Sequence, residues 1–377
     1  MEYKSMENIQ YQWDKIKNRI LDAEELYIYG AGVVAYGIYQ ALLDVLQVKP
    51  KAFVVTERPE YSSDIESVPI ISVQEIHLHA DILMLVATPE LYHEQIKQTL
   101  SEKEIRDVIY IDNHTEFLFM RMFYKEKGTF PLLMDACENV LCEKYRGDVA
   151  KQVGIYMAKC HVDKPLKNQI EIPEWVIPIQ VGKALTGQQI AELCDNTGEH
   201  ISYKNGKYSE LTATYWVWKN VQKAYKGICH YRRQLLISKE EMNWLIKNDV
   251  DAVLPLPFVC YPDAKGQYGR YISEEDQEIL FQALEEVSPE YAKAAKILLK
   301  TPYLYNYNML LAKANVFDAY CAWMFPILFR AEQLRAEKTG DRNDRFAGYF
   351  GEVLTSVYFM KNKEKLKIMH AEKIWYV

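Results

Sequence analysis

The chain has 377 residues, 49% of them hydrophobic and 26% charged, with a formal net charge of -7 at pH 7. That length exceeds what one core usually serves, so two domains are expected, and the composition excludes a disordered chain. The acidic balance, free of long like-charged blocks, excludes a binder of nucleic-acid backbones, and no apolar run approaches the ~20 residues of a transmembrane helix. The polar start, MEYKSMENIQYQWDKIKNRI, does not read as a signal peptide. Seven cysteines without a C-x-x-C pair point to reduced thiols in a cytoplasmic protein.

In chain order, the first predicted element is a short apolar strand, Leu26–Tyr29. It runs into Gly30-Ala31-Gly32-x-x-Ala35 and then a helix to about Leu46. This strand, glycine turn and helix form the unit that lets a backbone approach a pyrophosphate at the positive end of a helix. A second strand, Ala52–Thr56, ends on Glu57, near the place where an acid would hold a ribose. Further strands at Ile82–Ala87 and Val108–Ile111 enclose a helix near Glu90–Leu100. The alternation predicts a parallel, Rossmann-like sheet over residues 1–116. A nucleotide or NAD-like ligand at Gly30, Gly32, Ala35 and Glu57 is one reading of this domain, and a purely structural module is the other.

Residues 117–150 read as a helical, apolar connector packed between domains, with a membrane surface as the alternative. A second α/β domain is expected over 151–377, starting with strands at Gly154–Ala158 and Trp175–Val181 that lead to His161 and Lys183. Ligand sites gather at such strand ends. Asp195 and Asn196 follow. Then comes the helix ELTATYWVWKN (Glu210–Asn220), whose Leu211, Tyr215, Trp218 and Val221 share one face by spacing. Trp216, Lys219 and Asn220 point elsewhere, and Lys219 could reach a phosphate.

The strand Gly227–Arg233, GICHYRR, carries the strongest chemical signal. Two guanidinium groups at a strand end need an anionic partner, and their planar forks match phosphate oxygens. A diphosphate held by His230, Tyr231, Arg232 and Arg233 is one reading, and a salt-bridged surface strand is the other. Further on, Asp344 and Glu352 are candidate bases for deprotonating an acceptor hydroxyl. The lysines and Trp375 near the C-terminus fit either contact with anionic lipid or a solvated edge strand.

ELTATYWVWKN followed by YKGICHYRR resembles the family known as domain of unknown function 4422, described as glycosyltransferases of capsular and exopolysaccharide gene clusters, some linked to galactofuranose transfer. The resemblance covers Gly154 to about Phe359 and includes IPIQVGKAL, DNTGEHIS, YNYNMLLAK and RFAGYFGE. In this chain His161 is followed by Val-Asp-Lys rather than directly by lysine. The resemblance implies a GT-A-like domain moving a hexosyl group, galactosyl or galactofuranosyl among the candidates, from a UDP-sugar to a glycan or lipid-linked oligosaccharide at the inner face of a bacterial membrane. His161, Lys183, Asp195, Asn196 and Lys219 join the HYRR group as donor-site candidates. His230–Arg233 stand where such folds place a D-x-D metal motif. No metal-ligating set and no required cofactor are therefore expected, and dependence on manganese or magnesium stays open. An NAD-dependent oxidoreductase or epimerase, or a non-catalytic part of an assembly complex, are the competing classes.

Overall fold

The computed structural model describes residues 6–58, 63–77, 81–138, 148–167, 171–340 and 344–376. The chain forms two compact units, Met1–Pro131 with Phe258–Tyr261, and Leu132–Pro257 with Pro262–Val377.

The first unit is built on β1 (Glu25–Tyr29), β2 (Ala52–Val55), β3 (Asp64–Ile65), β4 (Val68–Ser72), β5 (Ile82–Val86) and β6 (Asp107–Tyr110). They form one sheet in the order β3-β4-β2-β1-β5-β6. Only the β3–β4 pair is antiparallel. Every residue of β1 and β5 is buried, the pattern of central strands covered on both faces. The helix Asn113–Lys127 starts on Asp112, whose carboxylate accepts from the Thr115 N–H, and ends on Gly128. Its Phe117, Leu118, Phe119 and Phe123 are buried, with Phe119 edge-on to Trp13 at 5.3 Å. This part of the expected connector is thus core of the first unit, whereas the helix Leu133–Glu138 belongs to the second. Residues 139–147, which hold Cys142 and the rest of the connector, lie outside the described residues.

The second unit contains β7 (Val153–Lys159), β8 (Val176–Gln180), β9 (Leu193–Cys194), β10 (Tyr225–His230), β11 (Arg233–Leu236), β12 (Ala252–Pro255), β13 (Leu310–Lys313) and β14 (Ile368–Trp375). Their order is β11-β14-β12-β13-β10-β7-β8-β9, and β10 also pairs with β11. That additional pairing closes β10, β11, β14, β12 and β13 into a small barrel, from which β7, β8 and β9 extend as a parallel wing. An open Rossmann-like sheet alone does not describe this unit. The C-terminal strand is correspondingly not an edge, because β14 lies between β11 and β12 in the ring. Among the described residues no helix is long and apolar enough to cross a membrane.

Candidate functional site

Parallel pairing sets β10, β7 and β8 side by side, with His230, Ala158 and Ile179 in register near their carboxyl ends. The loops leaving these ends diverge around a cleft of about 530 Å³. Cys160, Asp163 and Lys164 line it after β7, Val181 after β8, and His230 to Arg233 after β10. Ser209 and Glu210 line it ahead of the helix Leu211–Asn220, as does Arg345 ahead of the helix Phe346–Asn362. Both helices turn their N-terminal ends, where partial positive charge gathers, toward the cleft lining.

The cations here are incompletely partnered. Tyr231 and Arg232 form a two-residue turn that folds β10 back on β11, with His230 paired to Arg233. Arg232 reaches the Lys164 carbonyl at 3.3 Å. The Arg233 guanidinium lies 4.3 Å from the ring centres of both Tyr307 and Trp375. That stacking ties Trp375 of β14 to Arg233, its cross-strand neighbour on β11. The Nε–H of Arg232 and that of Arg233 are each buried without a hydrogen-bond acceptor, a state that costs ~1–3 kcal/mol unless something supplies an acceptor. Four cationic side chains, Lys164, Arg232, Arg233 and Arg345, share the cleft with the carboxylates of Asp163 and Glu210. Burial raises the Asp163 pKa, against the pull of the Cys160 N–H and Arg232.

Behind the cleft, Tyr307 and Asn308 both adopt positive φ, 79° and 48°. Bulky residues occupy that region only when their surroundings hold them. The grip is visible. The Tyr307 carbonyl accepts from His230 Nε2 at 2.6 Å, and its N–H donates to Glu352 at 3.1 Å. The Asn308 amide donates to Glu210 at 2.7 Å and to the Gly348 carbonyl at 2.9 Å. A Cβ on Gly351 would stand 2.9 Å from Asn308 Oδ1, so any larger residue would crowd this amide where the helix passes the kink. Donation to Tyr307 fixes the proton of His230 on Nε2, and burial lowers its pKa, keeping the imidazole neutral. Glu352 is shifted the opposite way, to about 7, by burial and then by the neighbouring Glu210 charge.

Several residues singled out in the sequence serve elsewhere. Asp195 is fully buried. Its carboxylate accepts from the N–H groups of Gly182 and Lys183 and from the hydroxyls of Ser202 and Thr212, so it ties loops together instead of facing the cleft. Asn196 beside it is exposed. The Lys183 ammonium folds onto the Thr186 and Gly187 carbonyls. Lys219 pairs with Glu199 at 3.2 Å and caps the Trp218 ring at 3.9 Å. His161 stands next to Cys160, 3.7 Å from its sulfur, outside the cleft lining. Asp344 accepts from Arg335 at 2.7 Å, in an ion-pair group that includes the buried Asp276. Trp216, expected to point away from the core, is buried, with its indole N–H on the Thr197 carbonyl. The helix is covered on both sides, by Tyr156 at Trp216 and by Phe325 at Tyr215 and Trp218.

Glu210 and Arg345 are cleft residues that the sequence does not mark as such: they open ELTATYWVWKN and RFAGYFGE, and both stand one position before a helix, where sequence alone offers only a capping role. Among the described residues no group of three His, Cys, Asp or Glu side chains is arranged to hold a metal.

In the first unit, Gly30 takes a φ of 119°, and a Cβ there would stand 2.7 Å from the Ala87 carbonyl oxygen. Gly32 precedes the helix Val33–Ala41, Ala35 is fully buried within it, and Glu57 is exposed.

Residues 156–363 match the family model described as Domain of unknown function (DUF4422). Among solved structures, the chain is similar to the apo structure of WbbM, a bifunctional glycosyltransferase. The TM-score is 0.51 and the identity 26%, covering 59% of this chain and 45% of that one. The chain thus spans less than half the length of that protein. No curated protein matches the chain.

Proposed function

We propose a nucleotide-sugar transferase, from the premise that the chain belongs to the DUF4422 family. The observation that carries this reading is the pair of buried, acceptorless guanidinium Nε–H groups, Arg232 and Arg233, in a cationic cleft at the ends of parallel strands. The likeness to WbbM supports it. In this reading the donor is a UDP-hexose, with galactose in pyranose or furanose form the leading candidate, and the acceptor is a glycan or lipid-linked oligosaccharide of a bacterial surface polysaccharide.

Arg232 and Arg233 hold the diphosphate, and Arg345, ahead of the helix Phe346–Asn362, adds charge. His230, neutral and pinned to Tyr307, positions the turn that bears them. The acceptor hydroxyl oxygen bonds to the anomeric carbon as the bond from that carbon to the diphosphate oxygen breaks. The electron pair leaves with the diphosphate, where the fixed cations stabilise the growing charge. The hydroxyl proton passes to Glu352, whose pKa of about 7 suits a base at neutral pH. Asp344, committed to Arg335, is the weaker candidate for that step. Fixed cations take the place of a metal in this reading, so chelation changes turnover by less than a few-fold, and many-fold activation by manganese overturns that part.

Calorimetry with UDP, UDP-galactose, UDP-galactofuranose, UDP-glucose, GDP and NAD tests the whole. Saturable binding of one nucleoside diphosphate, weakened ~10–100-fold in Arg232→Ala, is expected. Binding of NAD alone, with no response to any sugar nucleotide, transfers the function to the first unit and removes the proposal.

A further inference from the structure

A carboxylate works against a site for anions, yet Glu210 lines the cationic cleft. At about 530 Å³ that cleft falls within the ~300–1,000 Å³ of small-molecule sites. The Glu210 side chain is only 8% exposed. One of its oxygens, Oε1, accepts from the Asn308 amide at 2.7 Å. The other, Oε2, accepts no hydrogen bond among the described residues. Arg345 Nη2 stops 3.8 Å from it, beyond hydrogen-bond reach, while the Arg345 Nε–H is turned to the Ser209 hydroxyl at 2.9 Å. A carboxylate so buried is costly to leave half satisfied.

His230 supplies a second open acceptor close by, since the charge of Glu210 acts on its ring. Nε2 donates to the Tyr307 carbonyl at 2.6 Å. In the neutral imidazole Nδ1 then carries a lone pair, and no described residue donates to it. The cleft lining thus holds two acceptors, Glu210 Oε2 and His230 Nδ1, alongside the acceptorless donors of Arg232 and Arg233. Asp163, the other carboxylate of the lining, is already engaged: it accepts from the Cys160 N–H at 2.7 Å and lies in the field of Arg232.

We infer that the cleft is divided by charge: Glu210 and His230 accept from hydroxyls of the donor's hexosyl group, while Arg232 and Arg233 hold its diphosphate. The inference rests on the reading of this cleft as the donor site, and adds to it the residues that recognise the sugar. Two acceptors without donors select a ligand bearing two O–H groups, which a hexose offers on neighbouring carbons. The sugar-linked diphosphate has no O–H to offer, and the carboxylate repels its charge. The nucleoside ribose is the other diol of such a donor. Glu352, the proposed base, lies within the field of Glu210, which puts Glu210 at the reacting end of the ligand and the ribose beyond the arginines. A site built to bind hydroxyls in this way discriminates strongly against ligands that lack them.

The test is calorimetry on the full chain with UDP, UDP-galactose, UDP-galactofuranose and UDP-glucose. It reads the dissociation constant of UDP divided by that of the tightest UDP-hexose. Glu210→Gln removes the charge and keeps an oxygen for Asn308, so its thermal melt should stay close to the parent's. Its two effects on binding have opposite signs. UDP should bind as well as before or tighter, the repulsion being gone, while the UDP-hexose weakens about fivefold or more. His230→Gln keeps an amide N–H for the Tyr307 carbonyl and loses Nδ1. It should lower the ratio in the same way, and it carries the test if Glu210→Gln melts early. Equal weakening of both ligands would place the ribose at Glu210, or reduce Glu210 to a brace for Asn308. That result, or any smaller fall in the ratio, overturns the division of the cleft while UDP binding to the parent leaves the donor reading standing. UDP bound with every UDP-hexose rejected overturns it too. If the parent does not bind UDP, the donor reading fails and this inference with it.

Discussion

The parallel strands of the two sheets end differently, and the difference concerns what a motif reports. At the end of β1, Gly30 is explained by the backbone alone: its φ is positive, and the Ala87 carbonyl leaves no room for a Cβ. The Tyr29 hydroxyl meets Thr56 at 2.8 Å, and the buried hydroxyl left open beside Gly30, that of Thr88, is neutral. At the end of β10, the His-Tyr-Arg-Arg turn leaves two buried donors with no acceptor. A glycine turn therefore reports how a chain closes on itself, whereas an orphaned charge reports that something else is meant to be there. The first unit carries the more familiar sequence signature, and the second carries the stronger physical argument for a ligand.

The largest expected effect tests how the second sheet's ends are held. Asp195→Ala leaves two backbone N–H groups and two hydroxyls without their buried acceptor, and should cost ~3–5 kcal/mol in urea unfolding. A loss below ~1 kcal/mol would mean the strand-end loops are organised by something other than this carboxylate. Next, Gly30→Ala should destabilise the chain by ~2–3 kcal/mol through the clash and the φ, with UDP binding retained. If the variant instead keeps its stability and loses binding of an NAD-like ligand, the contrast between the two sheets dissolves.

The third prediction concerns pH. The Glu352 pKa is about 7 in the folded chain against an ordinary 4.5, so the folded state binds more protons between those values. Its contribution to stability is complete below about pH 4.5 and is lost as pH rises through about 7. Glu352→Gln should therefore be more stable than the parent at pH 8, by ~1–3 kcal/mol, while turnover falls ~100-fold or more. Identical pH–stability curves for the two proteins would refute the assignment. The smallest effect is expected at Arg345, whose side chain is 63% exposed. Arg345→Ala should weaken UDP only ~2–5-fold, less than ~1 kcal/mol, because an exposed charge is screened. A loss equal to that of Arg232→Ala would move the centre of the anion site toward Arg345.

Much of this was legible from the chain, for reasons particular elements make plain. The strands at Leu26, Ala52, Ile82 and Val108 emerge within a residue of their expected bounds, since buried or largely apolar strands leave unbroken apolar runs. The short pair β3 and β4 went unread: Asp64–Ile65 and Val68–Ser72 are brief and interrupted by exposed residues. Closure of the barrel was invisible too, because it depends on pairing between β10 and β11 and between β11 and the distant β14. The Arg232–Arg233 pair was legible because charge at a strand end is anomalous. Asp195 misled, since a buried structural carboxylate and a ligand-binding one have the same letter. Glu210, Arg345 and the Tyr307–Asn308 kink escaped because their meaning lies in contacts across ~40–140 residues of chain, beyond any local pattern.

The turn at Tyr231–Arg232 carries one more consequence. It joins two strands that are both fixed in a closed ring, β10 by β7 and β13 and β11 by β14. Side chains alternate sides along a strand, so one added or lost residue here would swap the inward and outward positions of β11, placing Arg233 and Leu235 where Gln234 and Leu236 stand. Insertions and deletions at this point are thus all-or-nothing for the whole ring, unlike those in an open loop. Diversity among natural variants of this chain should appear at Tyr231 and Arg232 as changes of residue, never as changes of length.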